Sequence, residues 1–208
     1  MASASTDQVL QFWFKHCTHQ PTNVRRMKRQ WYRGGRHLDL EIQRRFGGLH
    51  PLAAEASMGQ QQLDSRDALA CVIVLDQFSR HLFRGSKTAF AFDEGAQAVT
   101  QRLLSTSNIE DLSPIEQVFL LHPFHHAEDL HLQREGCNRL QRLITSLDLP
   151  WQTALTGFLQ SFKEHALIIE RFGRFPHRNR TLGRKSSDAE QRFLDTQIRH
   201  FGQQHGTH

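Results

Sequence analysis

Apolar positions recur along this chain three and four residues apart, the spacing of one helix face. The longest run is Trp151, Leu155, Phe158, Phe162, His165, Ile169 and Phe172. It predicts a helix from near Trp151 to Phe172, closed by Gly173 as a left-handed C-terminal residue. Leu38, Ile42, Phe46 and Leu49 predict another, broken at Pro51, with Leu52 to Met58 as a second piece. A first helix starts near Thr6 and carries Val9, Leu10, Trp13 and Phe14. Residues 18–24, with Pro21, read as a connection, and a short segment around Trp31 and Tyr32 ends at Gly34 and Gly35. From Arg66 to about Arg80 the pattern changes. Ala68 to Leu75 is apolar throughout, which predicts a helix packed on all sides. Further helices are expected over about Thr88 to Leu104, Ile115 to Leu121, Glu135 to Leu147, and from Ser187 to about Phe201. Ser113 with Glu116, and Ser187 with Glu190, have the spacing of capping boxes, and Pro114 suits a first helical position. Alternating strand patterns are absent. The expectation is an all-α single domain of about eight or nine helices over residues 1–201, with 202–208 as a frayed tail.

Composition narrows the class. At 208 residues, 38% apolar and 23% charged, the chain suits a globular domain with a sizeable core. No run of 18 apolar residues exists, so no membrane partner is expected. The start, MASASTDQVLQFWFK, lacks the marks of a signal peptide. Cys17, Cys71 and Cys137 form no CxxC pair, which argues against a disulfide framework and a structural zinc site. A reducing cytoplasm fits, and no cofactor is expected. GxGxxG, GxxxxGK[ST] and GxSxG are absent, so the common nucleotide sites and a nucleophile elbow are not expected.

Charge adds one feature. Glu170 to Lys185, ERFGRFPHRNRTLGRK, has a net charge of +5, equal to that of the whole chain, so the basic character is expected to concentrate there. A pI near 9.6 permits nucleic-acid binding, but no RNP-like, zinc-finger or KH pattern is present and nucleic acid is not the expected partner.

Three constellations could carry chemistry. Asp76 and Arg80 stand four apart on the predicted buried helix, where an ion pair is geometrically easy, and Arg84 and Ser86 follow beyond its end. The second is His122, His125, His126, Glu128, Asp129 and His131. It matches neither HExxH nor the ExxH of di-iron bundles, so a polar turn is favoured over a metal site. His126 and Glu128 remain suitable for general acid or base work. The third is Arg174, His177, Arg178, Asn179 and Arg184, on a loop stiffened by Pro176. Clustered arginines repel unless an anion or carboxylates neutralise them, so they mark either a ligand site or an ion network fed by Asp76, Glu128 and Asp129. His165, inside an apolar stripe, reads as a core histidine or as one facing such a pocket.

Four stretches carry a resemblance: VLQFWF near the start, LDQFSRHLFRGSKTAFAFDEGA from Leu75 to Ala96, HPFHHAEDLHLQ from His122 to Gln133, and HALIIERFGRFPHRNRTLGR from His165 to Arg184. Together they resemble the mainly bacterial domain of unknown function 924 family over nearly the whole chain. The resemblance implies a tetratricopeptide-like arrangement of helices and no established reaction. It implies motif positions at Asp76, Gln77, Arg80, Arg84, Gly85, His126, Glu128, Asp129, His165, Gly173, Arg174, Pro176, His177, Arg178, Asn179, Gly183 and Arg184. Ser79, His81 and Lys185 depart from the residues usual there, Pro, Asn and Glu.

The functional expectation is a polar cleft that binds a small anionic ligand, phosphate- or carboxylate-bearing. Asp76, Arg80, Arg84, Asp129, His165, Arg174, Arg178, Asn179 and Arg184 would form it, and His126, Glu128 or His177 would handle protons if it is hydrolytic. The rival is a tetratricopeptide-like module that grips a peptide in an open groove.

Overall fold

The centre of the fold is the run Ala68 to Leu75, every residue of which is at most 1% exposed. In the computed structural model, which describes residues 3–59, 63–106 and 109–196, this run spans helix α5 (Ser65–Val72) and the start of a wider π-helical stretch, Ile73–Phe78. Short helix α6 (Ser79–Leu82) continues the rod. Burying a Leu, Ile or Val side chain is worth about 1.5–3 kcal/mol, so a helix apolar on every side is stable only where neighbours cover it completely. Those neighbours are α1 (Ser3–Phe14), α4 (His50–Met58), α7 (Asp93–Thr106) and α8 (Pro114–Leu120).

The remaining helices are α2 (Pro21–Arg33), α3 (Gly35–Phe46), α9 (His122–His125), α10 (Leu130–Ser146), α11 (Leu149–Phe172) and α12 (Asp188–Thr196). The protein is all-α, with no strand among the described residues. Counting the α5–α6 rod and the α8–α9 pair, joined at Leu121, as single rods gives about ten helices among the described residues. Two differences from the sequence expectation concern α2 and the start of α4. Of the connection predicted at 18–24, residues 18–20 connect, and 21–24 are instead the start of a 13-residue helix. Val24, Met27 and Trp31 bury one side of α2, and Trp31 Nε1 donates to the Trp13 carbonyl at 2.9 Å. The break expected at Pro51 falls just before it, at Gly47–Leu49, and Pro51 occupies the first turn of α4. The end of the last predicted helix and the expected frayed tail lie outside the described residues.

Capping follows the expected chemistry. Ser113 and Glu116 form the capping box of α8, with the Ser113 N–H donating to Glu116 Oε2 at 2.8 Å. Asp148 caps α11, which starts two residues before Trp151, and Gly173 ends it at φ 69°. Helices α10 and α11 form a long pair linked only by Leu147 and Asp148. They close tightly at Gly136, where a Cβ would stand 3.1 Å from the Phe124 Cβ and 3.4 Å from the Phe162 ring. The aromatic core runs through Trp13, Trp31, Phe119 and Phe158, with Trp31 and Phe119 centroids 4.5 Å apart. It passes into histidines. His122 stacks on Phe119 at 4.4 Å, and His125 lies between Phe162 at 4.3 Å and His165 at 3.8 Å. No helix among the described residues is long and apolar enough to cross a membrane.

Candidate functional site

The π-helical turn places Asp76, fully buried, where the apolar run ends. A lone buried carboxylate is costly, and three groups compensate this one. Arg80 Nη1 lies 3.2 Å from Oδ1 and donates to the Asp76 carbonyl at 2.6 Å. The Gln77 side-chain amide donates to Oδ2. His126 Nδ1 lies 2.7 Å from Oδ1. The predicted Asp76–Arg80 pair is therefore present, with more partners than the spacing implied.

Arg80 also makes a forked pair with Asp93, in the first turn of α7, with both bonds at 3.0 Å. Arg178 reaches the same carboxylate at 3.3 Å and donates to the His126 carbonyl at 3.0 Å. Its guanidinium lies over Phe90 and Phe175 at 4.7 and 4.5 Å, while its Nε is buried without a partner among the described residues. Two buried carboxylates thus face the buried Arg178 and the half-buried Arg80. Burial raises the Asp93 pKa and Arg80 and Arg178 oppose that rise; burial also lowers Arg178, to about 10.

Glu128 binds the returning loop. It accepts from Arg184 at 2.5 and 2.9 Å and from the Phe175 N–H at 2.8 Å, and these contacts hold its pKa down against burial. Asn179 joins in by accepting from Arg184 Nε at 2.9 Å and donating to Ser186 at 3.1 Å.

The histidines are held neutral. Burial lowers the pKa of His122, His125, His126, His165 and His177, with His165 and His177 near 3, and neighbouring arginines and histidines push several of them further down. His122 Nδ1 pairs with the Val118 carbonyl at 2.9 Å and His165 Nδ1 with the His125 carbonyl at 3.1 Å, so each carries its proton on Nδ1. For His126 the Asp76 carboxylate plays that part, and its Nε2 has no protein partner among the described residues. No group of three or more His, Cys, Asp or Glu among the described residues is placed to hold a metal ion.

His126, Asp93 and Arg178 floor a cleft of about 620 Å³, walled by Phe90, Leu132 and Leu182 and edged by Lys87, Glu94, Glu128 and Asp129. Of the residues expected at the site, Asp76, Arg80, His126, Glu128, His165, Arg178, Asn179 and Arg184 belong to this connected network. His177 packs against Phe175, with ring centroids 5.4 Å apart. Two residues are placed otherwise, and Asp129, at the edge of the cleft, has another partner. Arg84 pairs with Asp39 of α3 at 2.7 Å, beside His81, because α6 ends at Leu82 and the chain turns toward α3. Arg174 turns outward to Glu190 of α12, at 2.7 and 2.9 Å, and holds that carboxyl at about 2. Asp129 caps α10 through the Leu132 N–H at 2.9 Å, where the sequence reading offered it as a partner for the loop arginines.

Sequence reasoning missed Asp93 and Glu190, the carboxylates that neutralise three of the expected arginines. Asp93 lies inside the motif AFAFDEGA, but an Asp in the first turn of a helix reads as a favourable helix-dipole residue and hides any second role. Gln133 was also missed. Its amide nitrogen donates to the His125 and Ala127 carbonyls at 2.7 and 2.8 Å and fixes the histidine turn.

Residues 9–197 match the model of the family described as bacterial protein of unknown function (DUF924), and the chain belongs to that family. A solved structure of a protein of unknown function from Agrobacterium tumefaciens is similar at 28% identity, with a TM-score of 0.73, over 94% of this chain and 99% of that one. No curated protein matches.

Proposed function

We propose that the cleft binds a small polar molecule and that His126 acts in it as a general base. The observation that carries this reading is the 2.7 Å contact between His126 Nδ1 and the buried Asp76, in a residue that also floors the cleft. A carboxylate on Nδ1 fixes the tautomer in which Nε2 is the free acceptor, and it stabilises the imidazolium that forms when Nε2 takes a proton. Nε2 would take that proton from a bound water or hydroxyl and return it to the leaving group. Hydrolysis is one reaction of this type.

The charge of the ligand is revised from the sequence reading. Arg80, Arg174, Arg178 and Arg184 each face a carboxylate, so none is an uncompensated cation awaiting an anion. At the rim Lys87 is opposed by Glu94 and Asp129. A neutral or amine-bearing molecule suits this balance better than a phosphate. The peptide-module reading draws support from one feature, a groove of about 440 Å³ between α10 and α11 beside the 63%-exposed Leu167.

The test pairs a thermal-shift screen of neutral, amine and acidic metabolites with turnover of small ester, amide and phosphoester substrates. It uses wild type and His126→Gln, whose amide can still donate to Asp76. The expected result is a stabilising compound or a turned-over substrate for wild type, with turnover lost in the variant at unchanged helicity. Turnover that survives the substitution would remove His126 from the chemistry, and a screen without a hit would remove the cleft as a binding site.

A further inference from the structure

A second basic stretch lies outside the 170–185 segment. Residues 8–38 contain Lys15, Arg25, Arg26, Lys28, Arg29, Arg33 and Arg36 and no Asp or Glu, a local charge of +7 against +5 for the whole chain. The expectation that basic character concentrates at 170–185 is corrected on two counts. Arg174, Arg178 and Arg184 of that segment are paired with carboxylates, and five of the seven cations of the larger basic stretch lie in helix α2.

Helix α2 sorts its residues by face. At about 100° per residue, Arg25, Arg26, Arg29 and Arg33 fall within an arc of about 100°, and Val24, Met27 and Trp31 lie opposite it. The four arginines are exposed and the three apolar residues are buried. Lys28 takes no part in the outer stripe. Its ammonium sits 4.0 Å over the Phe158 ring and burial lowers its pKa. All 21 acidic side chains of the protein lie among the described residues. None of them pairs with Arg25, Arg26, Arg29 or Arg33, whereas nine of the protein's other arginines form ion pairs with Asp7, Asp39, Glu41, Asp76, Asp93, Glu128, Glu135, Glu170 and Glu190. Tyr32, beside the stripe, turns its hydroxyl inward to His122 at 3.5 Å, where burial raises its pKa, and leaves 55% of its surface exposed.

We infer that this face of α2 binds the phosphate backbone of a nucleic acid. Four like charges within about 12 Å of helix repel one another, and a row of phosphates relieves that repulsion. Guanidinium forks match phosphate oxygens in pairs, which suits a surface built from arginine. The exposed part of Tyr32 offers a stacking surface for an unpaired base, which favours a single strand. An anionic bilayer fits less well, because the apolar side of α2 is turned into the core and cannot insert.

The test measures binding of the full-length protein to fluorescent single-stranded and duplex oligonucleotides of mixed sequence across a salt series. Four phosphate contacts predict that log K falls with log salt at a slope of about −2.8 on a single strand and about −3.6 on a duplex. Arg29→Gln with Arg33→Gln is expected to flatten the slope by about 1.4 on a single strand and to weaken binding at least tenfold at low salt. Arg171→Gln with Arg180→Gln, which removes the same charge from the exposed part of the other basic segment, is expected to leave binding within twofold. Equal loss in both double variants would show attraction to net charge alone and overturn the assignment. So would absence of binding at low salt, or tighter capture by anionic vesicles than by either oligonucleotide. Circular dichroism on each variant separates loss of binding from loss of the helix.

Discussion

Arg178 meets Asp93 across 85 positions of sequence, at 3.3 Å, with both side chains almost fully buried. This contact ties the loop after α11 to the first turn of α7, and removing one partner leaves the other short of a counter-charge. Breaking a buried ion pair in this way typically costs about 3–5 kcal/mol. Arg178→Ala is expected to lose stability on that scale in urea unfolding. Arg84→Ala, at the half-exposed pair with Asp39, is expected to lose well under about 1 kcal/mol because solvent screens that contact. Equal losses would show that burial is not what sets the worth of these arginines.

Acid should unfold the protein early. His165 and His177 have folded-state pKa values near 3, below the unfolded value of about 6.5, because burial opposes their protonation. The unfolded chain therefore binds more protons between those limits. The stability is fully present above pH 6.5 and is lost as pH falls from 6.5 toward 3. At pH 5 the loss is about 2 kcal/mol for each of the two groups. Urea midpoints measured from pH 8 to 4.5 should be flat at first and then fall steeply below 6.5. A flat series throughout would mean that the folded protein accommodates the imidazolium forms.

The same shift bears on the proposed chemistry. Burial and the nearby arginines keep His126 neutral well below its ordinary range. The acid limb of any pH–rate profile that depends on His126 should therefore lie well below 6.5. Asp76→Asn should change that profile as well as the rate, since the amide no longer offers the charge that stabilises the imidazolium. A profile with its midpoint at an ordinary histidine pKa would assign the proton to another group.

Two glycines should respond differently to alanine. At Gly136 a methyl would press on Phe124 and Phe162 in a close-packed seam, and overpacking of this kind costs about 1–3 kcal/mol. At Gly173 nothing stands within 4 Å, but φ of 69° is strained for any L side chain, at about 1 kcal/mol. Thermal unfolding of the two variants should place Gly136→Ala at or below Gly173→Ala.

Much of the fold is legible in the sequence because most helices show an apolar stripe against a polar background. The long stripe from Trp151, the Ser113 capping box and the apolar run from Ala68 each correspond to an element. Helix α2 escaped because only Val24, Met27 and Trp31 mark its inner face, in a segment crowded with arginine that follows a proline. The π-helical turn at Ile73–Phe78 left no local signature, since its width is set by what packs around Asp76. At the site, sequence located the residue types and the arginine loop. It did not find who neutralises whom, because Asp93 lies 85 positions from Arg178, and Asp93 and Glu190 each also read as an ordinary residue in the first turn of its helix.

The 174–184 loop has the relation to the rest of the molecule that a bound peptide has to its receptor. The earlier helices present Asp93, the His126 carbonyl and Glu128 as a docking place, and Arg178 and Arg184 enter it last in chain order. Tethering makes this an intramolecular encounter at high effective concentration. A chain cut after residue 170 would display an acidic receptor with no occupant, and a separate basic segment of the same sequence would be its natural guest.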